Sequence, residues 1–458
     1  MPKYTLKKFV LPLLLLIICT NIFLLSRLIF FPYPELFVYS YLTQEGLLPY
    51  KQILDQHFPG IMFFPINLAS LGIDTPHEMR VLLFALVAVT HTMLFLVSRR
   101  IFKTYHLSLI PNVLYLLWQP FFEGYVLWID SFIPIFLLVT FYFLMDLRKR
   151  GWSYFLAGSF LGIALLFKQP VIIIFLLVTS YLFFNIKREG LYKFLIGFSI
   201  PIIAMLLYLF SIGVLGDFVY WAITFNITVF AEMGRKYPAF SDLVKLLPVF
   251  GLAIILSIYL ISKKATKEVF LVSIFFLGSL SFAFARFDFV HLQPALPFAI
   301  ILIALSLHKV KLAGLTKVGV IYLILVLPLL LSFYKHNVGQ RILFFGGFEQ
   351  ELVLEIEKLT DPKDSIFAMG TSFHIYQMTK TLPPGRVFVF QFPWFMKVAE
   401  SKVFAGILND PPKVVIRDKG AEVSGMKLVN FMPRIESYVD KFYLPIKNVG
   451  GTEILVRR

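Results

Sequence analysis

Charged side chains are scarce in this sequence. Asp, Glu, Lys and Arg make up 15% of its 458 residues, whereas 58% of the residues are hydrophobic and the mean hydropathy is +0.79. In a soluble globular domain about a quarter of all residues are charged, so this composition excludes an ordinary soluble domain. Apolar runs of roughly 17 to 25 residues recur, and this is the length that a bilayer requires of a spanning helix.

Cysteine and the common cofactor motifs are also missing. The single cysteine, Cys19, lies inside the first apolar run, so the sequence has no disulfide framework and no thiolate metal site. It has no P-loop, no glycine-rich dinucleotide fingerprint, no HExxH or CxxC arrangement and no repeat of solenoid length. No residues therefore support an ATP-driven or NAD-linked function.

Apolar segments account for most of the first 334 residues. They predict an all-α polytopic membrane protein of about eleven transmembrane helices. The first segment is long and lacks a small-residue cleavage pattern, so we expect a retained helix rather than a signal peptide. The predicted spans are 9–31, 81–98, 107–122, 128–146, 152–167, 170–185, 194–214, 246–262, 268–284, 292–307 and 318–334.

Basic residues cluster before the first segment and at every second connection. The net charge is +16, but the short clusters between apolar runs argue against nucleic acid as a partner. By the positive-inside rule the N-terminus and the clusters are cytoplasmic, and an odd number of spans places the C-terminus outside a plasma or inner membrane. The clusters are Lys3, Lys7 and Lys8; Arg99, Arg100 and Lys103; Arg148, Lys149 and Arg150; Lys187, Arg188 and Lys193; Lys263, Lys264 and Lys267; and Lys309, Lys311 and Lys317.

The chain changes character near Lys335. We therefore divide it into a transmembrane domain, 1–334, whose first external loop is 32–80, and a small external α/β domain, 335–458. An apolar patch in the loop, 61–73, is too short to span and is predicted to lie in the membrane interface. The α/β domain should hold a helix at 350–360 and strands at DSIFAM (364–369), RVFVF (386–390), PKVVIRD (412–418) and EILVRR (453–458).

Ionisable groups gather in the first external loop, directly after the first span. Glu35 follows Pro34 there, and Glu45, Asp55 and His57 come later in the loop. A partly desolvated carboxylate at the membrane surface can have a pKa suited to a general base. The alternative interpretation is that these residues are ordinary solvated loop charges.

Further ionisable groups lie at the edges of predicted spans on the same external side. They are Asp130, Lys168 on a very short connection, and Arg286 and His291 before the tenth span. Such groups are costly near a membrane and are usually functional. The alternatives are snorkelling, a structural ion pair between Lys168 and Asp130, or a hydrogen-bonded packing histidine.

The loop PELFVYSYLTQEGLLPYKQILDQHFPG resembles the first external loop of the membrane-embedded glycosyltransferases of the GT-C fold, which use polyprenyl-phosphate sugars. The resemblance is nearest to the bacterial branch similar to dolichyl-phosphate-mannose-protein mannosyltransferases. It extends over most of the membrane part in segment number, orientation and loop order. The residues that carry it are Glu35, Gly46, Pro49, Tyr50, Asp55, His57, Phe58 and Pro59 in the loop, and Gly162, Lys168, Gln169, His291, Pro294 and Pro297 beyond it.

The resemblance implies transfer of a sugar, with inversion, from a polyprenyl-phosphate donor to a hydroxyl of a lipid, glycan or protein acceptor. Glu35 would be the base, with Asp55 as the alternative, because relatives often carry Asp or Asp-Glu where Pro34 and Glu35 stand here. No cofactor is otherwise implied, and a divalent metal stays open. The implied phosphate-binding residues are Lys168, Arg286 and His291, and the implied acceptor- or metal-binding residues are Asp130 and His57.

A polytopic transporter or lipid flippase without catalysis is the alternative function. It would also have many spans and a few charges near the membrane. It should show internal symmetry and charges near the midplane of its spans. Here no repeat is visible, and the ionisable groups collect on the predicted external side, which favours the transferase.

Overall fold

The computed structural model describes residues 3–63, 66–145, 151–263, 266–307, 312–339 and 341–458. Parts of the predicted cytoplasmic clusters lie outside this range: Arg148, Lys149, Arg150, Lys264, Lys309 and Lys311, together with the side chains of Lys3, Lys7 and Lys8.

Helices dominate the described residues. In chain order they are α1 (Lys3–Arg27), α2 (Glu35–Gln44), α3 (Gly60–Phe63), α4 (Pro76–Phe102), α5 (Tyr105–Trp118), α6 (Ile133–Leu144), α7 (Gly151–Phe167), α8 (Val171–Asn185), α9 (Arg188–Ser211), α10 (Leu215–Val219), α11 (Ala231–Met233), α12 (Phe240–Leu246), α13 (Leu252–Ser262), α14 (Lys267–Leu280), α15 (Leu296–Ser306), α16 (Leu312–Asn337), α17 (Gly347–Glu357), α18 (Ile375–Thr379), α19 (Pro393–Asn409), α20 (Leu428–Phe431) and α21 (Pro433–Phe442).

Strands are short and lie mostly near the C-terminus. Short 3₁₀ or π turns join several helices, and two of them, Ile129–Ser131 and Phe289–Leu292, carry predicted site residues. The strands are β1 (Phe31–Pro32), β2 (Ile53–Leu54), β3 (Val126–Leu127), β4 (Ile366–Met369), β5 (Phe388–Val389), β6 (Val414–Asp418), β7 (Glu422–Val423), β8 (Met426–Lys427), β9 (Tyr443–Val449) and β10 (Thr452–Arg457).

Each predicted apolar segment is mostly helical in its described residues, so the chain is an all-α polytopic membrane protein with a small C-terminal β region. The segment predicted at 268–284 is α14 and the turn after it. Among the described residues, five segments are long and apolar enough to cross a membrane: Phe9–Arg27, Pro76–Phe102, Arg188–Ser211, Phe240–Ser262 and Thr316–Asn337. Shorter apolar helices are Leu107–Trp118, Ile129–Leu144, Gly151–Phe167, Val171–Asn185 and Leu296–Ser306.

The chain forms two compact units. The first unit consists of Met1–Phe31, Met79–Ala204 and Lys236–Arg341. The second unit consists of Pro32–Glu78, Met205–Arg235 and Ile342–Arg458, so it takes in most of the first predicted loop. The division into a transmembrane domain, 1–334, and an external domain, 335–458, stays a prediction.

Glycines bring two helices of the first unit into close contact. A Cβ added at Gly158 of α7 would lie 2.0 Å from the carbonyl oxygen of Phe194 in α9, and one at Gly162 would lie 2.4 Å from that of Phe198. From the other side, a Cβ at Gly197 would lie 2.0 Å from the carbonyl oxygen of Phe155. Small residues at this spacing let helix backbones approach in a membrane, where packing rather than hydrophobicity holds helices together.

The second unit is built on a four-stranded sheet of order β4-β6-β10-β9. Strands β4 and β6 are parallel, whereas β10 is antiparallel to both β6 and β9. The predicted strands at 364–369, 412–418 and 453–458 all take part. The strand predicted at 386–390 lies elsewhere, because β5 pairs in parallel with β2 of the first loop.

The apolar patch at 61–73 is not one continuous surface helix. Ile61 and Met62 in α3 are only 1% and 0% exposed, so they pack inside the second unit. Leu71 is 63% exposed in a separate 3₁₀ turn. At the α3 end these side chains contribute to a protein core, and the placement of the patch in the membrane interface stays a prediction.

Candidate functional site

The first group of predicted site residues lies in the second unit and is organised by α2. Glu35 is the first residue of this helix, directly after Pro34, whose φ of −55° already suits a helical start. Tyr39 follows one turn later on the same helix face. Asp55 comes directly after β2, and the pairing of β2 with β5 fixes where that strand ends.

Asp55 is almost completely buried and is held by three hydrogen bonds. The Tyr39 hydroxyl donates to Oδ2 at 2.8 Å. The backbone N–H of His57 donates to Oδ1 at 2.7 Å, and Nδ1 of His57 lies 2.9 Å from the same oxygen. Since carboxylate oxygens only accept, Nδ1 carries a proton in this pair. Both oxygens of Asp55 are therefore engaged, and Asp55 fixes the orientation of the His57 ring.

Glu35 is in a different position. It is 8% exposed, and its Oε2 has no hydrogen-bond partner among the described residues. Burial raises the pKa of Glu35 to about 7, because the charged form loses its hydration; a backbone hydrogen bond and His57 oppose this, and Asp55 adds to it. A carboxyl group with this pKa and an unused oxygen can take a proton near neutral pH.

Aromatic side chains enclose these groups within the second unit. Tyr39 stacks on Phe63 with ring centroids 5.2 Å apart and meets Phe390 edge-on at 5.7 Å. The Tyr50 hydroxyl donates to the carbonyl of His57 at 2.8 Å and so fixes the loop after Asp55. The aromatic enclosure keeps water away from these groups. Burial therefore raises the pKa of Tyr39, and the nearby charge of Asp55 raises it further.

The second group lies in the first unit, where Asp130, Lys168 and His291 come together. Nζ of Lys168 lies 2.8 and 2.6 Å from the two oxygens of Asp130 and 2.9 Å from Nδ1 of His291. Nδ1 of His291 also lies 2.9 Å from Oδ2 of Asp130. Asp130 is fully buried, and the Lys168 and His291 side chains are 10% and 12% exposed.

Three breaks between helices position this second group. Asp130 lies in the 3₁₀ turn before α6, and Lys168 lies between α7 and α8, where Pro170 precedes the first residue of α8. His291 lies in the 3₁₀ turn Phe289–Leu292. The ion pair between Lys168 and Asp130, one alternative that the sequence left open, is thus present.

The proton on His291 depends on which neighbour uses Nδ1. If Nδ1 accepts from Lys168, the ring proton sits on Nε2, which makes no hydrogen bond within the described residues. Burial lowers the pKa of His291, the nearby Lys168 charge lowers it further, and Asp130 opposes both, so the net effect favours the neutral ring. A neutral His291 can then offer one N–H to an anionic ligand without adding charge.

Arg286, the remaining predicted phosphate-binding residue, lies five residues before His291. Its Nε is 3.9 Å from Oδ2 of Asp288, and Lys236 pairs with the other oxygen of the same carboxylate. The Arg286 side chain is 35% exposed. Asp288 therefore carries two basic partners, and a role of Arg286 in phosphate binding stays a prediction.

Sequence reasoning missed Tyr39, Lys236 and Glu123. The spacing of Tyr39 from Glu35, four residues on one helix, was the available signal. Glu123 shares the connection EGYVLWID with Asp130, and its Oε2 accepts the N–H of Val290 at 2.8 Å. Nothing in the sequence linked Lys236 to Asp288 across 52 residues.

The described residues give little support to a metal site. No group of three or more His, Cys, Asp or Glu side chains gathers in that part of the chain. Both oxygens of Asp130 face the Lys168 ammonium, which occupies the positions a cation would take. His57 uses Nδ1 on Asp55. Metal binding by Asp130 or His57 therefore has no supporting geometry here.

Comparison with solved structures identifies the fold. A structure of ArnT from Cupriavidus metallidurans bound to undecaprenyl phosphate matches with a TM-score of 0.67 and 11% identity, covering 98% of both chains. An oligosaccharyltransferase from Archaeoglobus fulgidus tethered to an acceptor peptide matches with a TM-score of 0.58 and 13% identity, over 96% of this chain and 72% of that one.

A third structure agrees with these two. AglB from Archaeoglobus fulgidus, in complex with an inhibitory peptide and a dolichol-phosphate, matches with a TM-score of 0.56 and 12% identity, over 99% of this chain and 74% of that one. No protein-family model and no curated protein matches the chain. The chain is thus a polytopic membrane protein, and its particular fold is the GT-C fold.

Proposed function

We propose that the protein is a glycosyltransferase that moves a sugar from a polyprenyl-phosphate donor to an acceptor hydroxyl, with inversion, on the external face of the membrane. The observation that carries the proposal is Glu35: a buried carboxyl with an unused oxygen and a pKa of about 7. A group of this kind is suited to take the proton of a hydroxyl as it attacks the anomeric carbon. The fold supports the same class of reaction, since two of the matched structures are named oligosaccharyltransferases.

Glu35 is favoured over Asp55 as the base. Both oxygens of Asp55 already accept hydrogen bonds, from Tyr39 on one side and His57 on the other. Neither oxygen of Asp55 is therefore left free to take the proton of an acceptor hydroxyl. Asp55 is therefore assigned the role of orienting His57, and His57 is assigned to the acceptor.

The donor phosphate is assigned to Lys168 and His291, with Arg286 as a further candidate. The leaving group of the reaction is a lipid phosphate, and hydrogen-bond donors near it lower the barrier. The ion pair of Lys168 with Asp130 has no net charge. Lys168 and His291 would therefore stabilise the phosphate through N–H hydrogen bonds rather than through excess positive charge. Two matched structures contain undecaprenyl phosphate or dolichol-phosphate, which supports a lipid phosphate as part of the substrate.

Transfer with purified protein in lipid nanodiscs tests the proposal. Polyprenyl-phosphate donors carrying different labelled sugars are supplied with candidate lipid, glycan and peptide acceptors, and the release of polyprenyl phosphate is followed. We expect at least one donor to be consumed with formation of a glycosylated product. If no donor is consumed, while the protein in proteoliposomes moves labelled lipid phosphates between leaflets, the transferase is excluded and the flippase is supported.

A further inference from the structure

A polar cavity lies within the first unit, beside the turn that carries His291. Its volume is about 270 Å³. At about 30 Å³ for each water molecule, it has room for about nine waters. It is bounded by the turn Pro120–Gly124, α12, the turn Phe289–Leu292 and the last turns of α16. Its polar lining consists of Glu123, Lys245, Ser332, His336 and Asn337.

Glu123 is held at this cavity by a strained backbone. Its φ and ψ are 57° and 33°, a left-handed conformation that is unfavourable for a residue with a side chain. The neighbouring residues enforce it: Gly124 exchanges two hydrogen bonds of 2.9 Å with Gln119, and Gln293 donates to the carbonyl of Phe122. A Cβ at Gly124 would lie 2.2 Å from the backbone carbonyl oxygen of Gln119, so only glycine fits there.

The carboxyl group of Glu123 can both accept and donate hydrogen bonds. Its Oε2 accepts the N–H of Val290 at 2.8 Å, whereas Oε1 makes no hydrogen bond in the part of the chain that the structure describes. Burial raises the pKa of Glu123 to about 7, with smaller and opposing contributions from the Val290 hydrogen bond and nearby charges. At neutral pH both protonation states are therefore present.

The other groups that line the cavity include both hydrogen-bond donors and hydrogen-bond acceptors. Lys245 lies 3.2 Å from Asp242 and 5.4 Å over the ring of Phe289, and it has further N–H groups. Nδ1 of His336 donates to the carbonyl of Ser332 at 2.6 Å, which leaves Nε2 to face a ligand. The Asn337 amide nitrogen donates to the carbonyl of Phe333 at 2.9 Å. The apolar lining includes Phe121, Tyr125, Phe289 and Phe333.

We propose that this cavity binds one sugar ring, through hydrogen bonds from its hydroxyls to Glu123, Lys245 and Asn337 and through contact of its apolar face with the aromatic lining. Hydroxyls both donate and accept, which matches the mixed lining. A free anion fits less well, because the carboxylate of Asp242 already pairs with Lys245 and the carboxyl group of Glu123 lines the same cavity. The source of the ring, either the donor sugar or a glycan acceptor, rests on the proposed function.

Binding of methyl glycosides tests the proposal without any transfer reaction. Protein in nanodiscs is titrated with the methyl glycosides of mannose, glucose, galactose, N-acetylglucosamine and arabinose, and saturation-transfer NMR is recorded. We expect saturable binding of at least one. Glu123→Gln keeps the acceptor for Val290 but loses the exchangeable carboxyl proton and charge, and Lys245→Met removes the ammonium donors. Each should weaken binding at least tenfold, as unpaired polar groups do.

Exposed residues provide matched controls. Glu189 lies on the surface in the first turn of α9, and Lys187 lies on the surface just before that helix. Glu189→Gln and Lys187→Met should both leave glycoside binding unchanged. Absence of saturable binding to the wild type, or unchanged binding in either cavity variant, would overturn the proposal. Displacement by a polyprenyl-phosphate sugar, but not by sugar-free polyprenyl phosphate, assigns the ring to the donor; displacement only by glycan acceptors assigns it to the acceptor.

The two proposals fail separately. Glycoside binding requires no turnover, so a failed titration leaves an observed transfer reaction intact. Conversely, if the cavity binds glycosides but the protein transfers no sugar, the proposed sugar site stands and the proposed transferase function is excluded.

Discussion

The ammonium of Lys168 lies 2.6 Å from Oδ2 of Asp130 and is nearly buried with it. The same ammonium also reaches Oδ1 of Asp130 and Nδ1 of His291, so its three N–H groups have three acceptors. An isolated charge at this depth would be costly, and the pair is tolerated because each member satisfies the other. A lipid phosphate that binds here has to share or replace one of these hydrogen bonds.

Removing one member of this pair should destabilise the protein. Lys168→Met leaves the Asp130 carboxylate buried without a counter-charge, which costs about 3 to 5 kcal/mol in comparable buried pairs. We expect a clear fall in the midpoint of thermal unfolding in detergent. The double variant Lys168→Met with Asp130→Leu removes both charges and should recover most of the loss.

The double variant also separates folding from substrate binding. If Lys168 holds the donor phosphate, the double variant, although its stability is largely restored, should bind a polyprenyl-phosphate sugar at least tenfold more weakly than the wild type. Normal donor binding by this variant would show that the pair is structural only.

A single methyl group at the contact of α7 with α9 should disturb the first unit. In Gly158→Ala the new Cβ meets the carbonyl oxygen of Phe194 at 2.0 Å, so the helices must separate, at a cost of about 1 to 3 kcal/mol. The thermal unfolding midpoint should fall. Gly319→Ala in α16 is the control: apart from its own helix, the added Cβ would meet no atom of the described residues within 4 Å, so the midpoint should stay unchanged or rise slightly. Equal midpoints in the two variants would contradict the close contact.

The orientation of the chain can be tested by labelling intact cells. In a Cys19→Ser background, single cysteines replace Lys187 and Ser437, both of which are exposed. A membrane-impermeant maleimide should label the cysteine at position 437 only, because Lys187 belongs to a predicted cytoplasmic cluster. Labelling at both positions, or at position 187 alone, would contradict the predicted topology.

The rate of transfer should depend on pH through Glu35. A base works only when it has lost its proton, and the pKa of Glu35 is raised from 4.5 to about 7. Turnover should therefore rise with pH around 7 and fall towards zero below it. A rate that stays constant from about pH 5 to about pH 9 would exclude a base with this pKa. The residual rate of Glu35→Gln should lack this step.

Much of the fold could be predicted because hydrophobicity is a local signal. Long apolar runs required helices, and each predicted span is mostly helical in its described residues. Strand β9 was missed because Pro445 and the charged or exposed residues around it do not resemble a core strand. As an edge strand it tolerates proline. The pairing of β5 with β2 was out of reach, since it joins segments more than 300 residues apart.

The candidate site was predictable in composition but not in its contacts. The sequence singled out Asp130, Lys168 and His291 because charges are rare at span edges, and the structure brings these three together. It did not find Glu123, since a single glutamate in a connection resembles a solvated charge; only its left-handed backbone and its burial distinguish it. Burial and backbone strain depend on tertiary structure, which one sequence does not reveal.

Glu35→Gln is the most direct test of the account. Glutamine keeps the size and most hydrogen bonding of glutamate but cannot take a proton, so turnover of a polyprenyl-phosphate sugar should fall by about a hundredfold or more. Donor binding should stay near the wild-type value, because the phosphate is assigned to other residues. Asp55→Asn is the comparison, and its loss should be smaller, since Asp55 orients His57. Near-normal turnover in Glu35→Gln, with transfer abolished in Asp55→Asn, would contradict the assignment and move the base to Asp55.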